Sequence, residues 1–147
     1  MFILEATNGE YYSGTIYYEE GFNFHNSFIE KTMEISGDYF IAGGFALTLL
    51  DQNHKRKFKV WWRDIDIWMP ETSTYRTKLR ITFESEWAKT YYLDPVHTIQ
   101  VINSTPKYPM EVINAFDLSL ARCCLHAFNQ ESCKVLFHRD IWMVYFT

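Results

Sequence analysis

The sequence has few prolines, glycines and cysteines, and it contains no long apolar run. Four Pro and six Gly among 147 residues exclude a linker-rich or disordered chain. No apolar run approaches the roughly 20 residues that span a bilayer, and Met1–Glu5 lacks the features of a signal peptide. Because 48% of the residues are hydrophobic, we expect one cytoplasmic domain over residues 1–147, away from membranes.

The three cysteines, Cys123, Cys124 and Cys133, are an odd number and include an adjacent pair. This arrangement is a poor disulfide framework, and the absence of a CxxC motif argues against structural zinc. We expect buried free thiols instead, as in a reducing compartment.

Charge is spread unevenly along the chain. The net charge is −4, which argues against general affinity for nucleic acid. Residues 1–38 contain seven acidic side chains and one basic side chain, whereas residues 55–80 contain eight of the fourteen Lys and Arg. Such a dipolar surface attracts a phosphate-bearing ligand locally, although a solvated basic loop explains the same pattern.

Apolar patterning predicts an α/β (α+β) domain with a mixed sheet flanked by helices. The core is expected over residues 26–125, and residues 1–25 form an N-terminal extension with short strands. The remaining predictions are a helix from Asn26 to Gly37, a strand at Asp38–Ala42, a helix at Phe45–Leu50, a basic loop at 51–59, a strand at Val60–Met69, a helix at Thr72–Ser85, a strand at His97–Asn103, a helix at Pro109–Cys124, and helix or strand at Lys134–Phe146.

Two patterns in the centre of the chain predict chemistry. Alternate residues of a strand share a face, so Asp64 and Asp66 point the same way while Ile65 and Ile67 point into the core. A divalent cation relieves repulsion between the two carboxylates, and Mg²⁺ prefers carboxylate and phosphate oxygens. Gly43-Gly44 lies between a strand and a helix, where its backbone can approach a phosphate. Gly-Gly alone also occurs in plain turns, and Asp-x-Asp alone also occurs in solvated edge strands.

The order of these patterns resembles the signature of the nucleotidyltransferase superfamily that includes DNA polymerase beta. The similarity rests on Ala42-Gly43-Gly44-Phe45-Ala46-Leu47 followed by Arg63-Asp64-Ile65-Asp66-Ile67-Trp68. It implies transfer of a nucleoside monophosphate from a nucleoside triphosphate to an acceptor, with Mg²⁺. It further implies that Gly43 and Gly44 bind phosphate and that Asp64 and Asp66 are catalytic metal ligands.

The third carboxylate of that family normally lies on a later strand, but Thr98–Asn103 contains no Asp or Glu. The best candidate is Asp117, in a segment that resembles nucleotidyltransferase-like proteins of viruses and phages. Asp117 is therefore assigned as a third catalytic residue, or as a structural residue at a helix start. Arg63 is assigned to nucleotide binding through a phosphate contact, or it pairs with Asp64.

Two functions follow from this pattern. The first is a Mg²⁺-dependent nucleotidyltransferase with an unknown acceptor, which is RNA, a protein or a small molecule. With no room for a separate acceptor domain, it would need an oligomer, a protein partner or a small acceptor. The second is an inactive member of the same fold that binds nucleotide or protein, of the antitoxin or viral counter-defence type, in the host cytoplasm if viral. A plain interaction module is a further alternative.

Overall fold

The computed structural model describes residues 1–18, 29, 32–52 and 62–146. The strands are β1 Phe2–Asn8, β2 Tyr11–Tyr17, β3 Met33–Ser36, β4 Phe40–Ala42, β5 Asp64–Trp68, β6 Thr74–Thr77, β7 Ile81–Glu84, β8 Ala88–Tyr92, β9 Thr98–Ile102, β10 Cys123–His126 and β11 Ser132–His138. The α-helices are α1 Gly44–Gln52, α2 Pro109–Ile113 and α3 Arg139–Tyr145, and a 3-10 turn spans Ser119–Ala121.

Nine strands form one mixed sheet in the order β1-β2-β11-β10-β4-β5-β9-β8-β7. Strands β5 and β9 are parallel, and the other neighbours in this sheet are antiparallel. A separate antiparallel pair joins β3 to β6. The predicted mixed sheet in a single α+β domain is confirmed. Strands β1 and β2, which lie in the predicted N-terminal extension, belong to this sheet.

Alternation along the central strands sends apolar side chains to both faces of the sheet. On the first face, Ile65, Ile67 and Ile99 pack in the cluster that includes Phe45 and Leu49 of α1. On the second face, Phe40, Trp68 and Ile102 pack with Val112 and Ile113 of α2. Helix α2 has five residues, and apolar packing on this face is concentrated at the Trp68–Ile102 end of the central strands. The opposite end of the same strands is polar.

The best predicted elements are short apolar segments with clear boundaries. Strand β4, helix α1, strand β5 and strand β9 all occur where the sequence predicts them. Pro70 follows β5 closely, and the glycine pair precedes the body of α1. The C-terminal segment, predicted as helix or strand, contains both, because β11 ends at His138 and α3 begins at Arg139.

Two predicted helices are wrong. The segment Thr72–Ser85 forms β6 and β7, whose threonines and aromatic residues favour strands and whose partners are β3 and β8. The segment Pro109–Cys124 is helical only as α2 and then forms the 3-10 turn, before β10 enters the sheet between β4 and β11. Pairing with distant strands determines the secondary structure of both segments. Local periodicity in the sequence does not show which strands will pair.

The predicted helix at Asn26–Gly37 is also wrong at its end, because Met33–Ser36 is strand β3. Most of its first part, and residues 53–61 of the predicted basic loop and strand, lie outside the described residues. Cys123, Cys124 and Cys133 are buried free thiols, as predicted. Within the part of the chain that the structure describes, no helix has the length and apolar character to cross a membrane.

Candidate functional site

Strand β5 places the two predicted carboxylates on the second sheet face. Asp64 and Asp66 are half-buried, while Ile65 and Ile67 between and beyond them are fully buried on the first face. The alternation predicted from the sequence is therefore confirmed. On the neighbouring parallel strand, Thr98 lies opposite Asp64 in the register and Gln100 lies opposite Asp66. Four polar side chains thus share one face at the end that apolar packing leaves open.

The glycine turn lies directly beside Asp66. Ala42 pairs with Asp66 across β4 and β5, so the chain leaves β4 next to the carboxylate and enters α1. Gly43 has φ +81°, a conformation that favours glycine. A Cβ at Gly43 would lie 3.2 Å from Asp66 Oδ2 and 3.9 Å from the ring of Phe116. The missing side chain therefore avoids a tight contact with Asp66 Oδ2.

Helix α1 begins at this turn with an exposed Gly44. The Leu47 amide donates to the Gly43 carbonyl at 3.1 Å, which closes the first helical turn. The first turn contains no acidic side chain. The N-terminus of a helix carries partial positive charge and attracts anions. The start of α1 therefore offers a favourable position for an anionic group next to Gly43.

Asp66 is held in an environment that disfavours its charge. Burial is the main cause that raises its pKa to about 7, and the nearby Asp64 carboxylate raises the pKa further. Its Oδ1 atom is buried and has no hydrogen-bond partner among the described residues. A buried, unpartnered carboxylate oxygen is unfavourable unless a cation, a proton or water satisfies it.

Asp64 is oriented by a side chain on β9. The Thr98 hydroxyl donates to Asp64 Oδ1 at 2.5 Å. The Thr98 amide donates to the Arg63 carbonyl at 3.1 Å, which fixes the start of the β5–β9 pairing. The hydrogen bond from Thr98 uses Oδ1, and Oδ2 is the other oxygen of the same carboxylate. The hydrogen bond restricts the orientation of the Asp64 side chain.

Mg²⁺ uses one or two protein carboxylates plus substrate oxygens and water, so the chemistry of the two carboxylates is consistent with the predicted ion, which stays a prediction. Asp66 Oδ1, which lacks a partner among the described residues, is the observation that bears on this prediction. Within the described residues, no group of three or more His, Cys, Asp or Glu side chains is placed to hold a metal. Asp117 therefore does not join Asp64 and Asp66 in such a group.

The other predicted residues are more peripheral. Asp117 is exposed, and it is the preceding residue, Phe116, whose ring approaches Gly43. The Phe116 carbonyl accepts a hydrogen bond from Arg122 Nε at 2.8 Å, which holds this segment in place. Arg63 is exposed beside Asp64 in the chain. The roles of Asp117 and Arg63 stay predictions.

Three neighbours of the carboxylates were not identified from the sequence. In the sequence, Thr98 and Gln100 belong to a predicted strand without a carboxylate, and Phe116 belongs to a predicted helix. The alternation of β9 is visible in its sequence, but its register with β5 is not. A parallel partner can be aligned only once the long connection between the strands is known.

Fold and site together define a mixed α+β domain with two adjacent carboxylates beside a glycine turn and a helix N-terminus. The chain matches the model of the Gabija anti-defense 2 family, Gad2, over residues 16–145. This match covers most of the sequence, and the protein belongs to that family. No curated protein and no solved structure matches the chain.

Proposed function

We propose that this protein is a phage counter-defence protein that acts against the Gabija defence of bacteria. The family match over residues 16–145 is the observation that carries this proposal. It supports the counter-defence alternative from the sequence better than it supports nucleotidyl transfer. The protein would be active inside the infected cell, where a defence component or a nucleotide is its target.

Within this proposal, the site on β5 binds a nucleotide phosphate together with Mg²⁺. Asp64 and Asp66 would hold the ion, and the backbone at Gly43 and Gly44 would contact phosphate oxygens. The ion would supply positive charge that neutralises both carboxylates and the phosphate. Asp66 Oδ1, which lacks a partner among the described residues, and the close approach of the Gly43 backbone to the Asp66 carboxylate support this assignment. Thr98 orients Asp64 through its hydroxyl.

Nucleotidyl transfer is the second candidate, and the juxtaposition of Asp64 and Asp66 on one face favours it. In this reading both carboxylates hold the metal, Arg63 contacts phosphate, and Asp117 is the predicted third carboxylate. The acceptor would be RNA, a protein or a small molecule. Release of pyrophosphate from a nucleoside triphosphate is the reaction that distinguishes transfer from binding alone.

Plating of a Gabija-sensitive phage tests the counter-defence proposal. We expect expression of the protein to raise plating efficiency at least tenfold on bacteria with Gabija and to change nothing on bacteria without it. No increase on Gabija-positive cells would overturn the proposal. The double variant Asp64→Asn, Asp66→Asn is expected to lose protection because it removes both ion ligands. The matched control is Glu10→Gln, Glu131→Gln, which removes two exposed carboxylates from turns outside the site.

An assay of pyrophosphate release tests the second candidate. The protein is incubated with Mg²⁺, each nucleoside triphosphate and a bacterial extract that supplies acceptors. Transfer predicts release of pyrophosphate that falls at least 100-fold in Asp66→Asn, because the ion would lose one of its two carboxylate ligands. Release that is equal in the wild-type protein and this variant, or absent from both, contradicts transfer. The proposal of nucleotide and Mg²⁺ binding without transfer would then be retained for the site.

A further inference from the structure

The polar end of the second sheet face continues beyond the two carboxylates. The register places Asp66, Gln100, Thr90 and Phe83 in one row across β5, β9, β8 and β7. A neighbouring row contains Asp64, Thr98 and Tyr92. Directly opposite residues of paired strands have side chains on the same face. We call this surface the open half-face; its members are Asp64, Asp66, Thr90, Tyr92, Thr98 and Gln100.

Two polar side chains in the middle of the open half-face have no hydrogen-bond partner in the part of the chain that the structure describes. Gln100 and Thr90 are half-buried and directly opposite each other. Neither the Gln100 amide nor the Thr90 hydroxyl forms a hydrogen bond within the described residues. A primary amide offers a donor and an acceptor in one plane, which matches the edge of a nucleobase and pairs bidentately with adenine. The row thus presents paired hydrogen-bonding groups beside Asp66.

Aromatic and cationic side chains border these groups. Tyr92 is 38% exposed, and the guanidinium of Arg80 lies 5.3 Å from the centre of its ring. Phe83 is 64% exposed and lies opposite Thr90 on the edge strand. Exposed aromatic rings and arginine planes are the groups on which unpaired bases stack.

We propose that the open half-face binds an unpaired nucleobase. The Gln100 amide and the Thr90 hydroxyl would form hydrogen bonds with the edge of the base, and the Tyr92 ring would stack on the plane of the base. The inference rests on the proposed binding of phosphate and Mg²⁺ by Asp64 and Asp66, since it places the base of the same ligand on the adjoining part of the sheet. The base belongs to a free nucleotide or to a single-stranded nucleic acid. The two sources share the same base chemistry.

Calorimetry with the full chain and Mg²⁺ separates base binding from phosphate binding. The probes are ATP, inorganic tripolyphosphate and a short oligoadenylate without a triphosphate. We expect ATP to bind at least tenfold more tightly than tripolyphosphate. Gln100→Ala and Tyr92→Leu are expected to weaken ATP binding about tenfold and to leave tripolyphosphate binding unchanged. Lys89→Ala is the control on the same strand as Thr90, because its side chain lies on the other face.

Each outcome identifies which part of the proposal fails. Equal affinity for ATP and tripolyphosphate, or unchanged ATP binding by both variants, overturns the nucleobase inference and leaves the phosphate site in place. No binding of either compound by the wild-type protein overturns the phosphate site itself. Circular dichroism at the same concentrations shows that the variants are folded. Oligoadenylate that binds and displaces ATP identifies nucleic acid as a source of the base, and oligoadenylate that does not bind identifies the free nucleotide.

Discussion

Replacing Asp66 with asparagine is expected to raise the free energy of unfolding by about 2 kcal/mol at pH 8 and to change it little at pH 4. Burial first, and the Asp64 charge second, raise the pKa of Asp66 from 3.8 to about 7 in the folded protein. The shift corresponds to about 4 kcal/mol if fully expressed. Relaxation of the protein around the charged carboxylate reduces this to the smaller figure. Asparagine has the same shape as aspartate and carries no charge, so Asp66→Asn removes the cost of the buried charge.

The sign follows from proton binding. Between pH 4 and pH 7 the folded protein retains a proton on Asp66 that the unfolded chain has released. The stability of the wild-type protein therefore falls as the pH rises through this window and is level above it. Asp66→Asn lacks this titration, so its advantage grows from pH 4 to pH 7. Urea denaturation at pH 4, 6 and 8 measures the difference.

Asp64→Asn is the matched variant for this prediction. It removes the second cause of the raised Asp66 pKa and leaves burial, the first cause, in place. We expect it to reduce the fall in stability between pH 4 and pH 7 without abolishing it. A gain of stability by Asp66→Asn that is the same at all three pH values would contradict the electrostatic origin and point to packing instead.

Sequence reasoning succeeded where a local pattern decides the structure. The apolar run of β4, the glycine pair and the apolar body of α1 are each determined by near neighbours, as is the alternation of Asp64 and Asp66. These elements contain the predicted phosphate and ion ligands. The sequence therefore predicted the elements that bear the carboxylates and the glycine turn.

The rest of the site depends on which strands become neighbours. Thr98 and Gln100 face Asp64 and Asp66 only because β9 pairs in parallel with β5 in one register, and a shift by one residue would put apolar side chains there instead. Phe116 reaches Gly43 because α2 ends at Ile113 and the chain turns back towards β10. The same long-range pairing converts Thr72–Ser85 from a predicted helix into two strands.

Gly43→Ala is expected to lower the free energy of unfolding by about 2 kcal/mol and to weaken Mg²⁺-dependent binding of tripolyphosphate at least tenfold. Residues other than glycine are unfavourable at φ +81°. The added Cβ would also lie 3.2 Å from Asp66 Oδ2, so the carboxylate must move from its position beside the turn. Urea denaturation and calorimetry measure the two effects. Gly9→Ala is the matched control, because Gly9 also has a positive φ, +61°, an added Cβ there would meet nothing within 4 Å, and Gly9 lies between β1 and β2, outside the site.

A second background separates the strain of the backbone from the contact with the carboxylate. In Asp66→Ala the Oδ2 atom is absent, so Gly43→Ala retains the unfavourable φ and loses the close contact. We expect the effect of Gly43→Ala on stability to fall to about 1 kcal/mol in this background. An unchanged effect would show that Gly43 serves the turn alone. A reduced effect would show that glycine at this position also leaves room for the Asp66 carboxylate.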